Sequence, residues 1–381
     1  MMKHEEQPDY ITQALSLAES AMVTTSPNPR VGCVLVSPVA GVIGQGHTQQ
    51  AGGPHAEIMA LRDAAAKGHA TAGCTAYITL EPCCHHGRTG PCCDALIAAG
   101  VKKVVASMAD PNPLVAGQGF ARLQAAGIEL EVGRGAAESR ELNIGFFSRM
   151  IRKTPWVRMK VAASLDGQTA LLNGQSQWIT GEAARADGHA WRARSCAVLT
   201  GIGTVLADNP RLDVRLPDVM RQPRVVIIDS QLETPLDALI LGAERPIFVY
   251  FAVQNDAKKQ ALEALGVTVI HLPGKMPGKT QTGQETAKVD LPAMLRDLAQ
   301  REVNELHIEA GNKLNGSLIR EGLVDELLLY IAPKLLGTGQ GMASFGPLQT
   351  LSDAPELAFL SSDMVGRDLR LRARFAGRDR F

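Results

Sequence analysis

The amino-acid sequence predicts an α/β protein built from two domains. Segments with strand character alternate with helical segments along the first 151 residues, and the same alternation resumes after residue 155. Between the two series, the segment Arg152-Lys153-Thr154-Pro155 interrupts the pattern, and a chain of 381 residues is long for a single domain. We therefore expect a first domain over residues 1–151 and a second over residues 152–381, with mostly parallel sheets covered by helices.

The first half gives its elements in a clear order. Residues 9–21 predict an amphipathic helix, because apolar side chains recur there at helical spacing. Strands are predicted at residues 31–36, 41–46, 75–80, 102–107 and 128–132. Helices are predicted from residue 55 onward and at residues 92–99, 120–126 and 138–151.

The second half repeats this alternation. Strands are predicted at residues 156–163, 197–200, 224–229, 246–250, 267–271, 305–309 and 326–331, and helices at residues 182–194, 291–301 and 312–320. Glu309-Ala310-Gly311 joins a strand to a helix, where backbone N–H groups can hold a phosphate. Gly201-Ile202-Gly203 follows another strand but lacks the third glycine of a Rossmann fingerprint, so the nucleotide signal from the residues alone is modest.

Composition excludes several classes of protein. Lys and Arg together number 39, as do Asp and Glu, so no overall charge attracts nucleic acid or another polyanion. No apolar run is long enough to span a bilayer, and the polar residues 1–10 are unlike a signal peptide. Seven cysteines, an odd number with four inside one short stretch, favour a reducing compartment over a disulfide framework. We expect a cytoplasmic protein without nucleic-acid or membrane partners.

Candidate metal ligands concentrate between residues 73 and 100 and in the upstream segment Pro54-His55-Ala56-Glu57. His55 offers an imidazole, and Cys83 and Cys92 offer thiolates. A zinc with three such ligands and one open position, next to a carboxylate such as Glu57, is a minimal hydrolytic site. Zinc nucleobase deaminases carry His-x-Glu followed by Pro-Cys-x-x-Cys. Here the first half of that signature is intact and the second is stretched, with eight residues between the two cysteines.

Two alternatives stay open on spacing alone. Cys83 could pair with His86, three residues later, instead of Cys92. A purely structural zinc would take a fourth protein ligand, for which several neighbours are available: Cys84, Cys93, His85 and His86. A structural site has no need of Glu57, which favours the catalytic interpretation.

Local geometry adds one expectation and one difficulty. A proline precedes each proposed ligand, as at the first turn of a helix, so we expect the ligands at helix starts. However, residues two apart on a regular helix point in nearly opposite directions. Periodicity therefore does not direct both His55 and Glu57 to one metal.

A longer motif carries a family resemblance. Residues Glu81-Pro82-Cys83-Cys84-His85-His86-Gly87-Arg88-Thr89-Gly90-Pro91-Cys92 resemble the zinc motif of the bifunctional deaminase/reductase family of riboflavin biosynthesis. The similarity extends to Asn28-Pro29-Arg30-Val31-Gly32, to Asp110-Pro111-Asn112-Pro113-Leu114-Val115-Ala116-Gly117, and through the second half. It implies a cytidine-deaminase-like three-layer domain followed by a dihydrofolate-reductase-like α/β domain. It also implies that Glu57 is catalytic and that His55, Cys83 and Cys92 hold one zinc.

The resemblance extends to the substrate of the first domain. It implies contacts from Asn28, His47, His85, Arg88 and Thr89, with Arg88 suited to a phosphate. The chain departs from the family pattern at Gly90, where a proline is common, which puts the rigidity of the loop before Cys92 in doubt. Arg30 occupies a variable position, where it would contact phosphate or face solvent.

Several segments of the second half are similar to the reductase half of the same family: Lys160-Val161-Ala162-Ala163-Ser164-Leu165-Asp166-Gly167, Ser176-Gln177-Trp178-Ile179-Thr180, Gly203-Thr204-Val205-Leu206-Ala207-Asp208-Asn209-Pro210 and Val324-Asp325-Glu326. They imply NADPH as cofactor, with contacts from Ala162, Trp178, Thr204, Asp208, Ser230, Gly311, Asn312, Lys313, Leu314, Asn315, Gly316 and Ser317. Substrate contacts are implied at Ser176, Arg192, Leu212, Arg215 and Glu309. Lys160 and Glu309 would be the ionisable groups near the reacting sugar carbon, although a structural strand-end ion pair is the competing explanation.

Together these observations predict a bifunctional enzyme of riboflavin biosynthesis. The first domain would use zinc to deaminate a diamino-ribosylamino-pyrimidinone phosphate, and the second would use NADPH to reduce the ribosyl chain of the product. The family resemblance is consistent with a homo-oligomer. The rival interpretations are a deaminase acting on tRNA, which the neutral charge disfavours, and a zinc-stabilised binding module.

Overall fold

A computed structural model describes residues 9–84, 90–113, 115–217, 219–242, 244–274, 278–279 and 285–381. The chain divides into two compact units, Met1–Arg152 and Lys153–Phe381. Each unit has its own main sheet, and helices alternate with the strands along the chain. The predicted α/β class is confirmed.

The first unit begins with a helix and then alternates strands with helices. Its helices are α1 (Tyr10–Ser20), α2 (Ala56–Ala66), α3 (Cys92–Ala98), α4 (Gln118–Ala125), α5 (Ala136–Leu142) and α6 (Ile144–Arg152). Its strands are β1 (Gly32–Ser37), β2 (Gly41–His47), β3 (Thr75–Ile78), β4 (Lys103–Ala106) and β5 (Glu129–Val132). The strands and helices predicted before residue 133 are all present, with ends that differ by one or two residues.

The sheet of the first unit has the order β2-β1-β3-β4-β5. Strand β1 pairs antiparallel with both β2 and β3, whereas β3, β4 and β5 run parallel. The sheet is therefore mixed, and the expected parallel pairing holds for β3, β4 and β5 but not for β1. Only three residues join β1 to β2, and so short a connection permits only antiparallel pairing.

Gly46 in β2 makes room for helix α2. A Cβ atom at this position would lie 2.5 Å from the backbone nitrogen of Ala60 and 2.6 Å from the carbonyl oxygen of Ala56. Any larger residue would overlap the helix backbone, so glycine is required for this close approach. The result is that the first turn of α2, which carries Glu57, lies directly against the sheet.

The single helix predicted over residues 138–151 is instead two helices, α5 and α6, separated at Asn143. The side chain of Asn143 accepts a hydrogen bond from the Arg30 backbone N–H at 2.7 Å and donates to the Arg30 carbonyl at 2.9 Å. A polar side chain that bonds distant backbone competes with the helical pattern, and this contact was invisible in the local sequence. Asn143 thereby fixes the segment that follows Asn28.

The second unit contains a larger set of elements. Its helices are α7 (Glu182–Arg194), α8 (Ile202–Asp208), α9 (Asp256–Glu263), α10 (Leu291–Gln300) and α11 (Asn312–Arg320). Its strands are β6 (Trp156–Ser164), β7 (Gln168–Leu171), β8 (Ala197–Gly201), β9 (Arg224–Ile228), β10 (Ile247–Phe251), β11 (Thr268–His271), β12 (Gly278–Lys279), β13 (Glu285–Thr286), β14 (Glu305–Ile308), β15 (Glu326–Ala332), β16 (Gly339–Gly341), β17 (Leu357–Val365) and β18 (Asp368–Phe375).

Among the described residues, the main sheet of the second unit has the order β11-β10-β9-β8-β14-β6-β15-β18-β17. The first seven strands in this order run parallel, as predicted, and the hairpin β17-β18 adds an antiparallel edge. Sequence reasoning did not anticipate this hairpin. No helix of the described chain is both long enough and apolar enough to cross a bilayer.

The two faces of this sheet differ in chemistry. On one face, an apolar core joins the alternate strand residues Val157, Met159 and Val161 to side chains of α10 and α11. The intervening residues of β6 point to the other face, where helix α7 lies. There Arg158 is fully buried, pairs with Glu305 at 2.9 Å and Glu326 at 3.0 Å, and lies against the Trp191 ring of α7. Lys160 lies on this polar face of the sheet.

Candidate active sites

His55 is the N-cap residue of α2 and not part of its regular turn. Its backbone is extended, with φ of −78° and ψ of 169°, and the helix begins at Ala56. Glu57 lies in the first helical turn. Because only one of the two residues has helical geometry, the opposite directions expected from a regular helix do not apply. Both side chains can therefore face the same point.

The two cysteine ligands come from different local structures. Cys92 is the first residue of α3, directly after the N-cap Pro91. Cys83 instead lies in the irregular segment after β3, so the expectation that every proposed ligand lies at a helix start is wrong for Cys83. Two backbone N–H groups hold this segment on α3: that of Cys93 donates to the Cys83 carbonyl at 3.1 Å, and that of Cys92 donates to the Cys83 sulfur at 3.4 Å.

The three proposed ligands converge on one point. The Nδ1 atom of His55 lies 3.5 Å from Cys83 Sγ and 3.4 Å from Cys92 Sγ, and all three donor atoms lie within 4.8 Å of one another. Tetrahedral zinc with ordinary Zn–N and Zn–S bonds separates such a nitrogen and sulfur by roughly 3.6 Å. One imidazole and two thiolates are also the donors that zinc prefers. The residues present therefore fit a zinc ion with one position left open.

Glu57 lies beside these donors. Its side chain is buried and lies beside the Cys92 side chain. Burial raises the pKa of the Glu57 carboxyl, and negative charge on Cys83 raises it further. A raised pKa brings a carboxylate closer to the pH at which it can both accept and return a proton. A carboxyl group at this position can serve a metal site as general acid and base, and this role of Glu57 stays a prediction.

The side chains of Cys83 and Cys92 interact and shift each other's pKa in opposite directions. A hydrogen bond from Cys92 lowers the pKa of Cys83 to about 4, with His55 also favouring the thiolate, while the same bond raises the pKa of Cys92. Metal ligation requires both thiolates, so zinc binding must release the proton that the raised pKa favours on Cys92.

The neighbouring cysteines point elsewhere. Cys93 is buried, and its thiol donates to the carbonyl groups of Pro82 at 3.2 Å and Gly119 at 3.6 Å. The Cys84 thiol donates to the Gln118 side chain at 3.8 Å. Within the part of the chain that the structure describes, only His55, Cys83 and Cys92 form a metal-binding group. His85, His86, Arg88 and Thr89 lie outside the described residues.

The remaining predicted contacts of the first unit lie at element ends. His47 ends β2 and is half-buried, with Nδ1 3.1 Å from the Thr48 carbonyl oxygen. Asn28 lies in the turn after α1, where its N–H donates to the Thr25 carbonyl. Arg30 does not face solvent: it is buried, and its guanidinium donates to the carbonyls of Met22 and Leu142. The substrate roles of His47 and Asn28 stay predictions.

In the second unit, Glu309 lies between two cations. Arg192 of α7 donates to its two oxygens at 2.7 and 3.0 Å, and Lys160 Nζ lies 3.7 Å from Oε2. Burial alone would raise the pKa of Glu309, but Arg192 and Lys160 outweigh it and hold the pKa well below its usual range. The carboxyl is therefore ionised at neutral pH. The structure thus brings together three residues that the resemblance assigned to substrate binding or catalysis.

Two histidines border this cluster and were missed by sequence reasoning. His307 is fully buried 3.5 Å from Glu309, and burial lowers its pKa to about 3. His189 of α7 accepts a hydrogen bond from the Arg215 N–H at 3.3 Å, and burial together with Arg192 lowers its pKa to about 4. The spacing Glu305-x-His307-x-Glu309 on a strand was the available signal for His307, because alternate residues share a face.

The other predicted substrate contacts lie nearby in the chain. The Arg192 guanidinium also donates to the Asp213 carbonyl, and the exposed Arg215 pairs with the Asp213 carboxylate at 2.9 Å. Leu212 is buried with a positive φ of 50°. Ser176 is half-buried in the segment after β7. Contacts among Arg192, Asp213 and His189 connect α7 to the segment that carries Leu212 and Arg215.

The predicted cofactor contacts gather partly at two helix N-termini. Gly311 is the N-cap of α11, and a Cβ atom there would lie 3.8 Å from the hydroxyl of Thr204 in the first turn of α8. Two helix starts so close together can bind a phosphate through backbone N–H groups. The Trp178 ring is exposed and lies under the Arg185 guanidinium, and Ser230 accepts a hydrogen bond from the Val289 N–H.

Not every predicted cofactor contact is accessible. The Asn315 amide donates to the carbonyls of Ala310 and Met342, and a Cβ atom at Gly316 would overlap the Ser344 carbonyl. Both residues are buried and pack α11 against neighbouring backbone, and their roles as cofactor contacts stay predictions. The remaining predicted contacts lie on β6, on α8 and along α11: Ala162, Asp208, Asn312, Lys313, Leu314 and Ser317.

Comparison with known families agrees with this two-part architecture. Residues 4–108 match the family model of the cytidine and deoxycytidylate deaminase zinc-binding region. Residues 155–371, more than half of the chain, match the RibD C-terminal domain. The chain belongs to the RibD family.

Full-length relatives support the RibD assignment. The riboflavin biosynthesis protein RibD of Escherichia coli is 43% identical over 376 residues, covering 95% of this chain and 97% of that protein. The solved structure of Acinetobacter baumannii RibD is 40% identical with a TM-score of 0.86, over 96% of this chain and 98% of that one. A Thermotoga maritima deaminase/reductase structure is 29% identical with a TM-score of 0.83 and the same coverage of both chains.

This RibD-family chain is thus a bifunctional enzyme of riboflavin biosynthesis, as predicted. It has a zinc-dependent deaminase domain and a reductase domain that uses NADPH. The rival interpretations as a tRNA deaminase or a zinc-stabilised binding module are not needed, because full-length relatives account for both halves of the chain.

Proposed function

We propose that the first unit hydrolyses the amino group of 2,5-diamino-6-ribosylamino-4(3H)-pyrimidinone 5′-phosphate, and that the second reduces the ribosyl chain of the product to 5-amino-6-ribitylamino-uracil 5′-phosphate. The observation that carries this proposal is the group His55, Cys83 and Cys92 with the buried Glu57 beside it. The Thermotoga maritima relative is named a diaminohydroxyphosphoribosylaminopyrimidine deaminase and 5-amino-6-(5-phosphoribosylamino)uracil reductase, which supports the same substrates here.

In the deaminase step, the imidazole of His55 and the thiolates of Cys83 and Cys92 hold the zinc. Zinc in such a site acidifies water and directs it at an electrophilic carbon. The Glu57 carboxylate takes one proton from that water and delivers it to a ring nitrogen. It then takes the second proton, from the hydroxyl group added to the ring carbon, and delivers it to the departing amino group, which leaves as ammonia. Water and the aminopyrimidine give the ring carbonyl and ammonia, so no oxidant or reductant takes part.

Other residues of the first unit select the substrate. Asn28 and His47 are suited to the heterocycle through their hydrogen-bonding groups, and His85 and Thr89 extend this role. Arg88 is suited to the 5′-phosphate, because a guanidinium presents several donors to an anion. Asn143 supports the proposed role of Asn28, since it fixes the backbone of Arg30 two residues later.

In the reductase step, NADPH supplies the hydride for the sugar carbon. Lys160 is proposed to deliver a proton to the sugar ring oxygen as the ring opens, and the ionised Glu309, 3.7 Å away, is proposed to orient the Lys160 ammonium group. Arg192 and Arg215 bind the sugar phosphate, and Ser176 and Leu212 border the substrate. The N-termini of α8 and α11 bind cofactor phosphate. Trp178, Ala162, Asp208 and Ser230 contact the rest of the cofactor.

A two-stage assay tests the order of the two reactions. Zinc-loaded protein is mixed with the diaminopyrimidinone substrate without nicotinamide, ammonia is measured, and NADPH is then added and its oxidation followed. We expect ammonia first, followed by NADPH oxidation that depends on the deaminated product. Oxidation of NADPH by the starting diaminopyrimidine, before any ammonia appears, would contradict the proposed order.

We also propose that the protein is cytoplasmic and forms a homo-oligomer whose ligands are small molecules. The seven cysteines, none of which forms a disulfide, support a cytoplasmic location. The neutral overall charge supports small-molecule ligands rather than nucleic acid. Sedimentation velocity at several concentrations tests the oligomer, and a concentration-independent monomer would exclude it. A titration with tRNA across salt concentrations tests for nucleic-acid binding, for which we expect none.

A further inference from the structure

Glu81 is a buried carboxylate two residues before the metal ligand Cys83. Four backbone N–H groups donate to it, and all four come from residues 110–120. Gly119 and Phe120 donate to Oε1 at 2.9 and 3.2 Å, and Gly117 and Asp110 donate to Oε2 at 2.9 and 3.1 Å. Charged acceptors make stronger hydrogen bonds than neutral ones, so this contact binds the two segments firmly.

Two of these donors belong to the first turn of α4. The first N–H groups of a helix have no acceptor within the helix, and the N-cap of α4 is Gly117, which has no side chain to supply one. Glu81 supplies it instead for Gly119 and Phe120. A negative charge at a helix N-terminus is also favoured by the helix dipole. Glu81 therefore completes α4 from a different part of the chain.

The same contact fixes Pro82, the residue between Glu81 and Cys83. A Cβ atom at Gly119 would lie 2.1 Å from the Pro82 carbonyl oxygen, so α4 touches this peptide directly. The Cys93 thiol of α3 donates to the same carbonyl at 3.2 Å. Helix α4 therefore packs against the Pro82 carbonyl through Gly119, and helix α3 bonds the same carbonyl through Cys93. Both contacts fix the backbone that leads to Cys83.

We propose that Glu81 is a positioning residue of the zinc site, which holds Cys83 in ligating geometry by tying its backbone to the start of α4. In this role Glu81 acts through the backbone and does not need to contact the Cys83 sulfur or the substrate. The inference rests on the proposed zinc site, but zinc retention and amide exchange can be measured without turnover. Failure of the wild-type protein to release ammonia would count against the proposed function. Zinc retention and amide exchange would still test the positioning role of Glu81.

The first experiment compares Glu81→Gln with Asp94→Asn. The glutamine keeps the size of the side chain but turns an N–H donor toward backbone N–H donors, which breaks about half of the contact. Asp94 of α3 is a matched control, because it also reaches α4, through an exposed ion pair of 2.6 Å with Arg122. Zinc release to a chelator is timed, together with NADPH oxidation as a check on the second unit.

We expect zinc to leave Glu81→Gln roughly 10- to 100-fold faster than the wild type, the range found for residues that orient metal ligands. Asp94→Asn should release zinc at the wild-type rate, and NADPH oxidation should be unchanged in both variants. For zinc-loaded Glu81→Gln we expect a lower kcat for ammonia release with an unchanged KM, since backbone N–H groups occupy both carboxylate oxygens of Glu81. Equal zinc release from Glu81→Gln and Asp94→Asn would overturn the proposal.

A second experiment uses the wild-type protein and does not depend on the variant folding. If Glu81 couples α4 to Cys83, zinc binding must in turn stabilise the hydrogen bonds at the start of α4, because coupling is reciprocal. Hydrogen exchange is measured with and without zinc. We expect the amides of Gly119 and Phe120 to exchange at least about tenfold more slowly with zinc bound, while those of β5 do not change. Identical exchange at Gly119 and Phe120 in the two states would overturn the proposal.

Discussion

Arg192 and Glu309 are joined by two hydrogen bonds, from Nε to Oε1 at 2.7 Å and from Nη2 to Oε2 at 3.0 Å. The pair connects helix α7 to the residue that directly follows β14. It leaves one guanidinium nitrogen, Nη1, to bond the Asp213 carbonyl. A single arginine therefore sets the relative positions of a helix, a strand end and the segment that carries Arg215.

Replacement of Arg192 by lysine should impair reduction specifically. An ammonium group cannot make both hydrogen bonds in the geometry of a guanidinium, and each hydrogen bond to a charged group contributes about 1.5–3 kcal/mol. We expect kcat/KM for NADPH oxidation with deaminated substrate to fall roughly 10- to 100-fold, with ammonia release unchanged. The exposed Arg296 of α10 provides a control as Arg296→Lys. Equal activity of the two variants would contradict a role for the bidentate pair.

Replacement of Glu57 by glutamine should abolish ammonia release and spare reduction. The amide cannot accept and return a proton, and general acid and base catalysis contributes about 10²- to 10⁴-fold. We expect kcat for deamination to fall by at least about 100-fold while the zinc content stays at one per chain. Glu138→Gln, at an exposed position of α5, is the control. If a folded Glu57→Gln variant lost both activities, the hypothesis that deamination and reduction occur at two independent sites would be wrong.

Removal of zinc should separate the two halves of the enzyme. A chelator is expected to stop ammonia release and to leave NADPH oxidation with deaminated substrate unchanged. Cys92→Ser should bind zinc much more weakly than the wild type, whereas Cys84→Ser should retain it, because the Cys84 thiol contacts Gln118 and not the ligand group. Zinc content per chain, measured by atomic absorption, checks both. Loss of zinc from Cys84→Ser would mean that the ligand set is wrong.

The free energy of unfolding of the second unit should decrease as the pH is lowered, because His307 is buried in its neutral form. Its pKa is about 6.5 in the unfolded chain and about 3 in the folded one, because burial disfavours the charged form. Between these values the unfolded state binds a proton that the folded state does not, so acidification favours unfolding by up to about 1.4 kcal/mol per pH unit. His307→Gln should remove this contribution and flatten the pH dependence between about pH 6 and pH 4.

Tryptophan fluorescence can follow that unfolding selectively, since the three tryptophans of the chain, Trp156, Trp178 and Trp191, all lie in the second unit. Urea denaturation at each pH gives the free energy of unfolding. His271→Gln is a suitable control, because that histidine lies at the end of β11 away from the Glu309 cluster. Equal pH dependence in wild type and His307→Gln would show that His307 is not the group responsible.

Much of the fold was predictable because local signals agreed with tertiary packing. Helices α7 and α11 begin and end at the predicted residues, and the strands of the parallel sheet were found from their apolar runs. Strand β17 was not found, because its register shifts between Phe359 and Ser361 and apolar side chains fall on both faces. The break at Asn143 and the antiparallel pairing of β1 with β3 depend on contacts that no local pattern records.

The metal site was predictable in its members but not in its geometry. Residue types and prolines pointed to His55, Cys83 and Cys92, whereas the extended backbone of His55 that lets Glu57 face the same point could be seen only in the structure. The pairing of Lys160 with Glu309 was expected from the family resemblance alone. Arg192 and His307 join them from α7 and β14, which are separated by more than 100 residues.

The order of the chain has a consequence for how the zinc site is assembled during synthesis. His55, Cys83 and Cys92 lie within 38 consecutive residues, and all three precede β4. The amides that hold Glu81 come later, from residues 110–120. On a growing polypeptide, the ligands therefore leave the ribosome before the residues that fix their backbone. Zinc encountered at that stage would meet a complete set of ligands on a chain that α4 has not yet made rigid.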